Sequence, residues 1–414
     1  MRSVKPGKLE GTVIAAASKS DAQRAIAAAA LCHGTSVLDG YSTCDDTQTA
    51  LNLARSFGAT TIVDGGMLSI TGDPQPPRTV LNCGESGLAL RIFASIASLF
   101  SDPTTLHGIG TLTRRPVQPL VDALRQFGAR CESTNGFLPL TTAGPLASGV
   151  ASIDGFTSSQ HVSGLMFALP LAQGESRLSL RQATSIPYLQ MTRHVLAAFG
   201  IEVQANPSWS RIEIEGRQVY RPARYLIEGD WSGAAFVLVA GAITGRVTVQ
   251  NVRADSLQAD RVILDILRQC GATVTQSESS ATVSHSTLRA FRYDARHCPD
   301  LFPPLTALAC FCKGTSIIEG THRLAGKESD RASTLLDQFR AMGAKIFHRH
   351  DCLQITGGPL RGGAVDTHHD HRIAMAVSVA ALRSEMGVTL NDDACVSKSY
   401  PEFFNHLRHL GAQA

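Results

Sequence analysis

The chain says nearly the same thing six times. The stretches LARSFGA, LRQFGAR, LAAFGIE, LRQCGAT, FRAMGAK and LRHLGAQ carry their glycines at Gly58, Gly128, Gly200, Gly271, Gly343 and Gly411, at intervals of 70, 72, 71, 72 and 68 residues. Each reads as the end of an amphipathic helix stopped by a glycine that takes positive φ, with a strand following in at least five copies. A period this regular over 414 residues predicts six copies of one unit, arranged as two halves of three.

Every unit also holds an Ala-rich helix that is apolar on nearly all sides, at about 21–32, 87–100, 160–172, 233–243, 302–311 and 372–382. Such helices belong in a core rather than on a surface. Strands such as TSVLDGY, GRVTVQNV and GTSIIEG follow them. The expectation is an α/β chain whose buried helices lie beneath a sheeted exterior.

Composition narrows the function classes. A content of 43% hydrophobic and 18% charged residues suits folded domains, and a formal net charge of +3 does not point to nucleic acid. The ten cysteines are scattered without a CxxC pair, which fits a reducing cytoplasm and neither a disulfide framework nor a zinc site. The apolar run near the N-terminus, Val13 to Ala17, is too short for a signal core, and no apolar stretch has the length of a membrane span. The HHDHR cluster lacks a second ligand group at zinc spacing, so no metal is expected. Walker, GxSxG and GxGxxG patterns are absent from the sequence.

Polar residues concentrate where the apolar helices begin: SKSDAQR, CGESGLALR, TSSQH, EGDWSGA, CPDLF and HHDHR. Capping accounts for Ser, Thr and Asp there. It does not account for Gln160, nor for Lys19, Arg24, Arg91 and Arg372 in or next to the first turn, where the helix dipole disfavours cations. Cations beside helix N-termini make sense around a bound anion. Arg114 and Arg115, the KESDR run (Lys327 to Arg331) with Arg323 before it, and Lys398 supply further charge. Together they suggest one anionic site shared by the two halves.

Taken in order, SKSDAQR, RPVQPLVDAL, DGFTSSQ, SIPYLQMT, YLIEGDWS, CPD, KESDR, DHRIAM and CVSKSYP resemble the EPSP synthase family. The resemblance runs from residue 18 to the C-terminal region. It implies an inside-out α/β architecture of two similar domains of three repeats each, with buried parallel helices and sheets outside. The chain would build residues 1–16 plus 228–414 as one domain and 17–227 as the other, with the active site in the cleft between them. It also implies transfer of the enolpyruvyl group of phosphoenolpyruvate to the 5-hydroxyl of shikimate 3-phosphate, without a cofactor or metal, by a cytoplasmic monomer. Two relatives of the fold are alternatives. The carboxyvinyltransferase acting on UDP-N-acetylglucosamine typically has a Lys-Asn pair and a loop Cys, where this chain has SKS and GIGTLTRRP. The RNA 3′-phosphate cyclases use a nucleotide.

Carried over by position, the resemblance makes Asp300 the base on the 5-hydroxyl, Glu328 the group that handles the methylene proton, and Lys19 a relay or stabiliser. It assigns Lys19, Gly87, Arg115, Gln160, Arg331, His371, Arg372 and Lys398 to phosphoenolpyruvate. Ser20, Arg24, Ser158, Ser159, Gln160, Ser185, Asp300, Arg323 and Lys327 go to shikimate 3-phosphate. Two positions depart from the family pattern. Glu85 stands where an Asn is usual, and the pattern leaves open whether it pairs with Arg91, pairs with Arg24 or points away. Arg323 replaces another Asn, where it could add a bond to the 3-phosphate.

Overall fold

The computed structural model describes residues 1–154 and 158–414; part of the DGFTSSQ motif, residues 155–157, lies outside them. The chain forms two compact units, Met1–Ser18 with Glu228–Ala414, and Lys19–Ile227. At the crossings two short segments lie side by side: Ala17 bridges Gly229, the Ser18 amide donates to the Glu228 carbonyl, and Asp230 donates back to Ala16.

The repeat is visible sheet by sheet. Gly34–Asp39 pairs antiparallel with Met67–Gly72, which pairs antiparallel with Thr60–Asp64, and Arg224–Leu226 joins the other edge in parallel. The same strand order recurs in four more four-stranded sheets, centred on Thr104–His107, Ser176–Arg181, Arg246–Gln250 and Thr315–Glu319. In the sixth, three-stranded sheet, Val388–Leu390 lies between Gly363–Val365 and Arg2–Val4. The closing parallel strand of the Lys19–Ile227 unit therefore comes from its last residues. The other unit borrows Glu10–Ile14 and Arg2–Val4 from the start of the chain.

Hydroxyl pairs mark equivalent positions across these sheets. Thr35 faces Thr71, Thr105 faces Thr141, Thr248 faces Thr282 and Thr315 faces Thr356, each with oxygens 2.8–2.9 Å apart. Cross-strand pairs of this kind add a few tenths of a kcal/mol or more apiece, up to about 1 kcal/mol.

Beneath the sheets lie Lys19–Ala30, Gly87–Ala97, Ser159–Ala168, Trp231–Thr244, Phe302–Ala309 and His371–Ala381. Every residue of Gly87–Ala97 is buried, as is every residue of His371–Ala381. Each large apolar side chain sequestered in this way contributes roughly 1.5–3 kcal/mol. Polar caps start several of these helices: Ser158 accepts from the Gln160 amide, Asp230 from Gly233 and Asp370 from Arg372. Among the described residues no helix is long and apolar enough to cross a membrane.

The six repeat glycines all have positive φ, from +79° to +106°. After the first five, strands follow: Thr60–Asp64, Arg130–Thr134, Gln204–Ala205, Thr273–Gln276 and Lys345–Arg349. Side-chain room differs between copies. A Cβ on Gly128 would meet only the Ala147 methyl at 3.6 Å, whereas one on Gly58 would lie 2.6 Å from the Asp73 carbonyl oxygen. Gly128→Ala should therefore cost about 1–2 kcal/mol, the left-handed backbone penalty alone. Gly58→Ala should cost more, because backbone must move. Thermal unfolding of the two variants checks the ranking, and equal losses would refute it.

Candidate active site

The densest cluster of charge surrounds Asp300, which lies in a short 3₁₀ turn, Pro299–Leu301, leading into the Phe302–Ala309 helix. One carboxylate oxygen of Asp300 accepts from Arg331 Nη1 at 3.0 Å and from Lys327 Nζ at 3.4 Å; the other lies 3.2 Å from Arg372 Nη2. Burial alone would raise this carboxyl, but Arg372, Lys327 and Arg331 hold it well below the usual carboxylate range. Burial brings the Lys327 ammonium down to about 8, with Asp300 opposing.

Arg331 opens the helix Arg331–Ala341 and has a fully buried side chain. Its guanidinium also donates to Glu328 at 2.5 Å and to both oxygens of Asp370 at 3.0 and 3.2 Å. Burial opposes its charge, yet Asp370, Glu328 and Asp300 raise its proton affinity above the ordinary value. Asp370 is at once the cap of the His371–Ala381 helix and an acceptor for Arg331 and Ser329. One buried carboxylate thus places the first turn that bears His371 and Arg372. Lys398 is buried in the 3₁₀ turn Ala394–Lys398, and Arg323 is buried in Thr321–Leu324.

Asp260, which the sequence reading passed over, is buried without exposure in the 3₁₀ turn Ala259–Val262. One of its oxygens meets the Ser232 hydroxyl at 2.5 Å, and the other has no hydrogen-bond partner among the described residues. Burial first, then Asp300, pushes this carboxyl up to about 7. Its sequence signal, an acidic residue in a helical first turn, is shared with ordinary caps.

The Lys19–Ile227 unit holds a second group of cations. Lys19 opens its helix and pairs with Asp46 at 2.9 Å. One turn on, the buried Arg24 donates to the Ser20 carbonyl at 2.7 Å and to Thr192 at 2.8 Å, with longer bonds to Ser163 and the Tyr188 carbonyl. Ser185 caps Ile186–Ala198 with φ of 52°. Ser158 and Ser159 start the helix that carries Gln160.

Arg115 follows the 3₁₀ turn Gly110–Arg114, and its guanidinium lies over Gly87. A Cβ on Gly87 would sit 2.7 Å from Arg115 Nη1, so only glycine lets this cation approach the start of the Gly87–Ala97 helix. Arg91 donates to the Gly87 and Pro116 carbonyls at 2.8 and 2.9 Å. His161, also passed over in the sequence, is buried; burial, then Arg91 and Arg115, lowers its pKa and keeps the imidazole neutral. The structure therefore gathers the expected residues into two groups. Asp300, Arg323, Lys327, Glu328, Arg331, His371, Arg372 and Lys398 belong to one unit, and Lys19, Ser20, Arg24, Gly87, Arg115, Ser158, Ser159, Gln160 and Ser185 to the other.

The raised Asp260 carboxyl has a consequence for stability. The unfolded chain releases this proton near pH 4, whereas the folded chain keeps it to about 7. The folded state therefore binds the extra proton across that window, and stability falls as pH rises through it. Asp260→Asn keeps a polar partner for Ser232 and has nothing to titrate. Its melting temperature should exceed that of the parent at pH 8 and match it near pH 4; a parallel offset at both would refute the assignment.

Comparison with known proteins bears on the family and the fold. The family profile described as EPSP synthase (3-phosphoshikimate 1-carboxyvinyltransferase) matches residues 4–407. A 3-phosphoshikimate 1-carboxyvinyltransferase of Methanocorpusculum labreanum is 36% identical over 415 residues, covering 99% of this chain and 98% of that protein. One from Thermococcus kodakarensis is 37% identical over 403 residues, 97% of this chain and 98% of its own length. Among solved structures, an EPSP synthase of Acinetobacter baumannii superposes with a TM-score of 0.83 at 26% identity, covering 99% of this chain and 98% of that one. With the match running nearly end to end in sequence and in fold, the chain belongs to the EPSP synthase (3-phosphoshikimate 1-carboxyvinyltransferase) family.

Proposed function

We infer that this protein transfers the enolpyruvyl group of phosphoenolpyruvate to the 5-hydroxyl of shikimate 3-phosphate, releasing phosphate, in the shikimate pathway of aromatic amino-acid biosynthesis. The observation that carries the reading is the Asp300 carboxylate held by Arg331, Lys327 and Arg372. Two multiply charged anions must lie side by side, and a surplus of fixed cations offsets their repulsion. All ten cysteines are free thiols, which supports a reducing cytoplasm. We take a single chain to be sufficient.

In this reading Asp300 removes the 5-hydroxyl proton as the oxygen attacks the C2 carbon of phosphoenolpyruvate. Glu328 delivers a proton to the methylene carbon, giving a tetrahedral adduct. Loss of phosphate, with a methyl proton returning to Glu328, then restores the double bond. Lys19 stabilises charge near both ligands. Arg115, Gln160, Arg331, His371, Arg372 and Lys398 hold phosphoenolpyruvate, with Gly87 leaving room for its approach. Ser20, Arg24, Ser158, Ser159, Ser185, Arg323 and Lys327 hold the phosphoshikimate.

A carboxylate pinned by three cations is a weak base. When phosphate and carboxylate groups of the ligands share Arg331, Arg372 and Lys327, the field on Asp300 weakens and its proton affinity rises. The ligands thereby tune the base that acts on them.

Incubation with phosphoenolpyruvate and shikimate 3-phosphate should release inorganic phosphate only when both are present; no release would refute the reaction. Asp300→Asn should lower turnover on the order of 10²–10⁴-fold while shikimate 3-phosphate still binds by calorimetry. Near-normal turnover would show that another group is the base. Arg115→Ala should chiefly raise the KM for phosphoenolpyruvate, on the order of tenfold or more, because a charge-assisted contact is lost. A fall in kcat at unchanged KM would remove Arg115 from that role.

A further inference from the structure

Glu85 is a carboxylate next to a group of cations meant for anions, and the assigned roles make no use of it. Its position accounts for it. One Glu85 oxygen accepts from the Thr111 backbone amide at 3.1 Å, in the first turn of the Gly110–Arg114 segment. Gly110 has φ of +55°, and a Cβ there would collide with that same carboxylate oxygen. Glu85 thus lies directly over Gly110, in space that only a glycine leaves free.

This contact is the middle one of three. On one side the Ile109 amide donates to the Gly84 carbonyl at 2.8 Å. On the other the Arg115 guanidinium lies against Gly87. Residues 84, 85 and 87 therefore meet residues 109, 111 and 115 in register. The turn carries no side-chain cap of its own, and a carboxylate on its opening Thr111 amide also suits the turn dipole.

We propose that Glu85 is a positioning residue which clasps the Gly110–Arg114 turn and so fixes Arg115 for phosphoenolpyruvate, rather than a ligand of either substrate. The clasp also disposes of an awkward charge, because the carboxylate accepts from the Thr111 backbone amide instead of facing the anions. Glu85 and Gly110 form one device, since any side chain at 110 evicts the carboxylate.

The proposal rests on the assignment of Arg115 to phosphoenolpyruvate, and the experiment separates the two. Glu85→Ala deletes the acceptor, whereas Glu85→Gln keeps an oxygen of the same reach and removes the charge. In Glu85→Ala the KM for phosphoenolpyruvate should rise about three- to tenfold, the weight of one hydrogen bond, with kcat within about twofold. Affinity for shikimate 3-phosphate should not change. Glu85→Gln should restore the KM. Hydrogen exchange in peptides covering residues 107–115 of the unliganded protein should be faster in Glu85→Ala and normal in Glu85→Gln. Gly110→Ala should mimic Glu85→Ala, and the double variant should be little worse than either single one. Glu85→Gln behaving like Glu85→Ala, or Glu85→Ala leaving both KM and exchange unchanged, would overturn the proposal. If the parent releases no phosphate at all, the reaction assignment fails, while the exchange comparison still decides whether the clasp exists.

Discussion

A fully buried guanidinium, Arg331, carries three carboxylates: Asp300, Glu328 and Asp370. Stripping a cation of water costs several kcal/mol, and only close, well-directed acceptors repay it. Removing Arg331 would leave Asp370 buried without its main cation, and Asp370 places the helix turn that presents Arg372. The positions of two helix starts, Arg331–Ala341 and His371–Ala381, thus depend on one charge network.

That network trades resting reactivity for order. Asp300 is held ionised by its cations, and Glu328 is tied to Arg331. A site for two anions must otherwise hold many like charges close together. Here the protein's own acids balance them, and Asp260 behind Ser232 shows the other extreme, a carboxyl that burial raises to about 7. Neighbouring acids shifted in opposite directions allow one small region to hold cations without accumulating either sign.

What the sequence made legible was local or periodic. The six glycines announce a backbone state that depends on a single residue, and the apolar helices announce burial by composition alone. Cations at helix starts stood out because they contradict the dipole. Asp370 and Asp260 did not stand out, because an acid near a first turn looks like a cap whether or not it also grips a cation. His161 was hidden in an apolar run, and its value lies in neighbours some fifty to seventy positions away in the chain, Arg115 and Arg91. The threonine pairs of the sheets were invisible for the same reason: register, not proximity in sequence, brings Thr35 to Thr71.

The borrowed strands have a consequence for synthesis. Residues 19–227 form a compact unit whose sheets are complete within that span. Glu10–Ile14, made earlier, pairs with Arg246–Gln250, and Arg2–Val4 with Val388–Leu390. At about 5–20 residues per second, a ribosome takes on the order of ten seconds or more to deliver the first of those partners. The leading segment therefore waits as an unpaired edge while the unit behind it folds. The edge formed by Glu10–Ile14 thus depends on a partner synthesised after the whole intervening unit, so the order of translation decides how long that edge stays open to other strands.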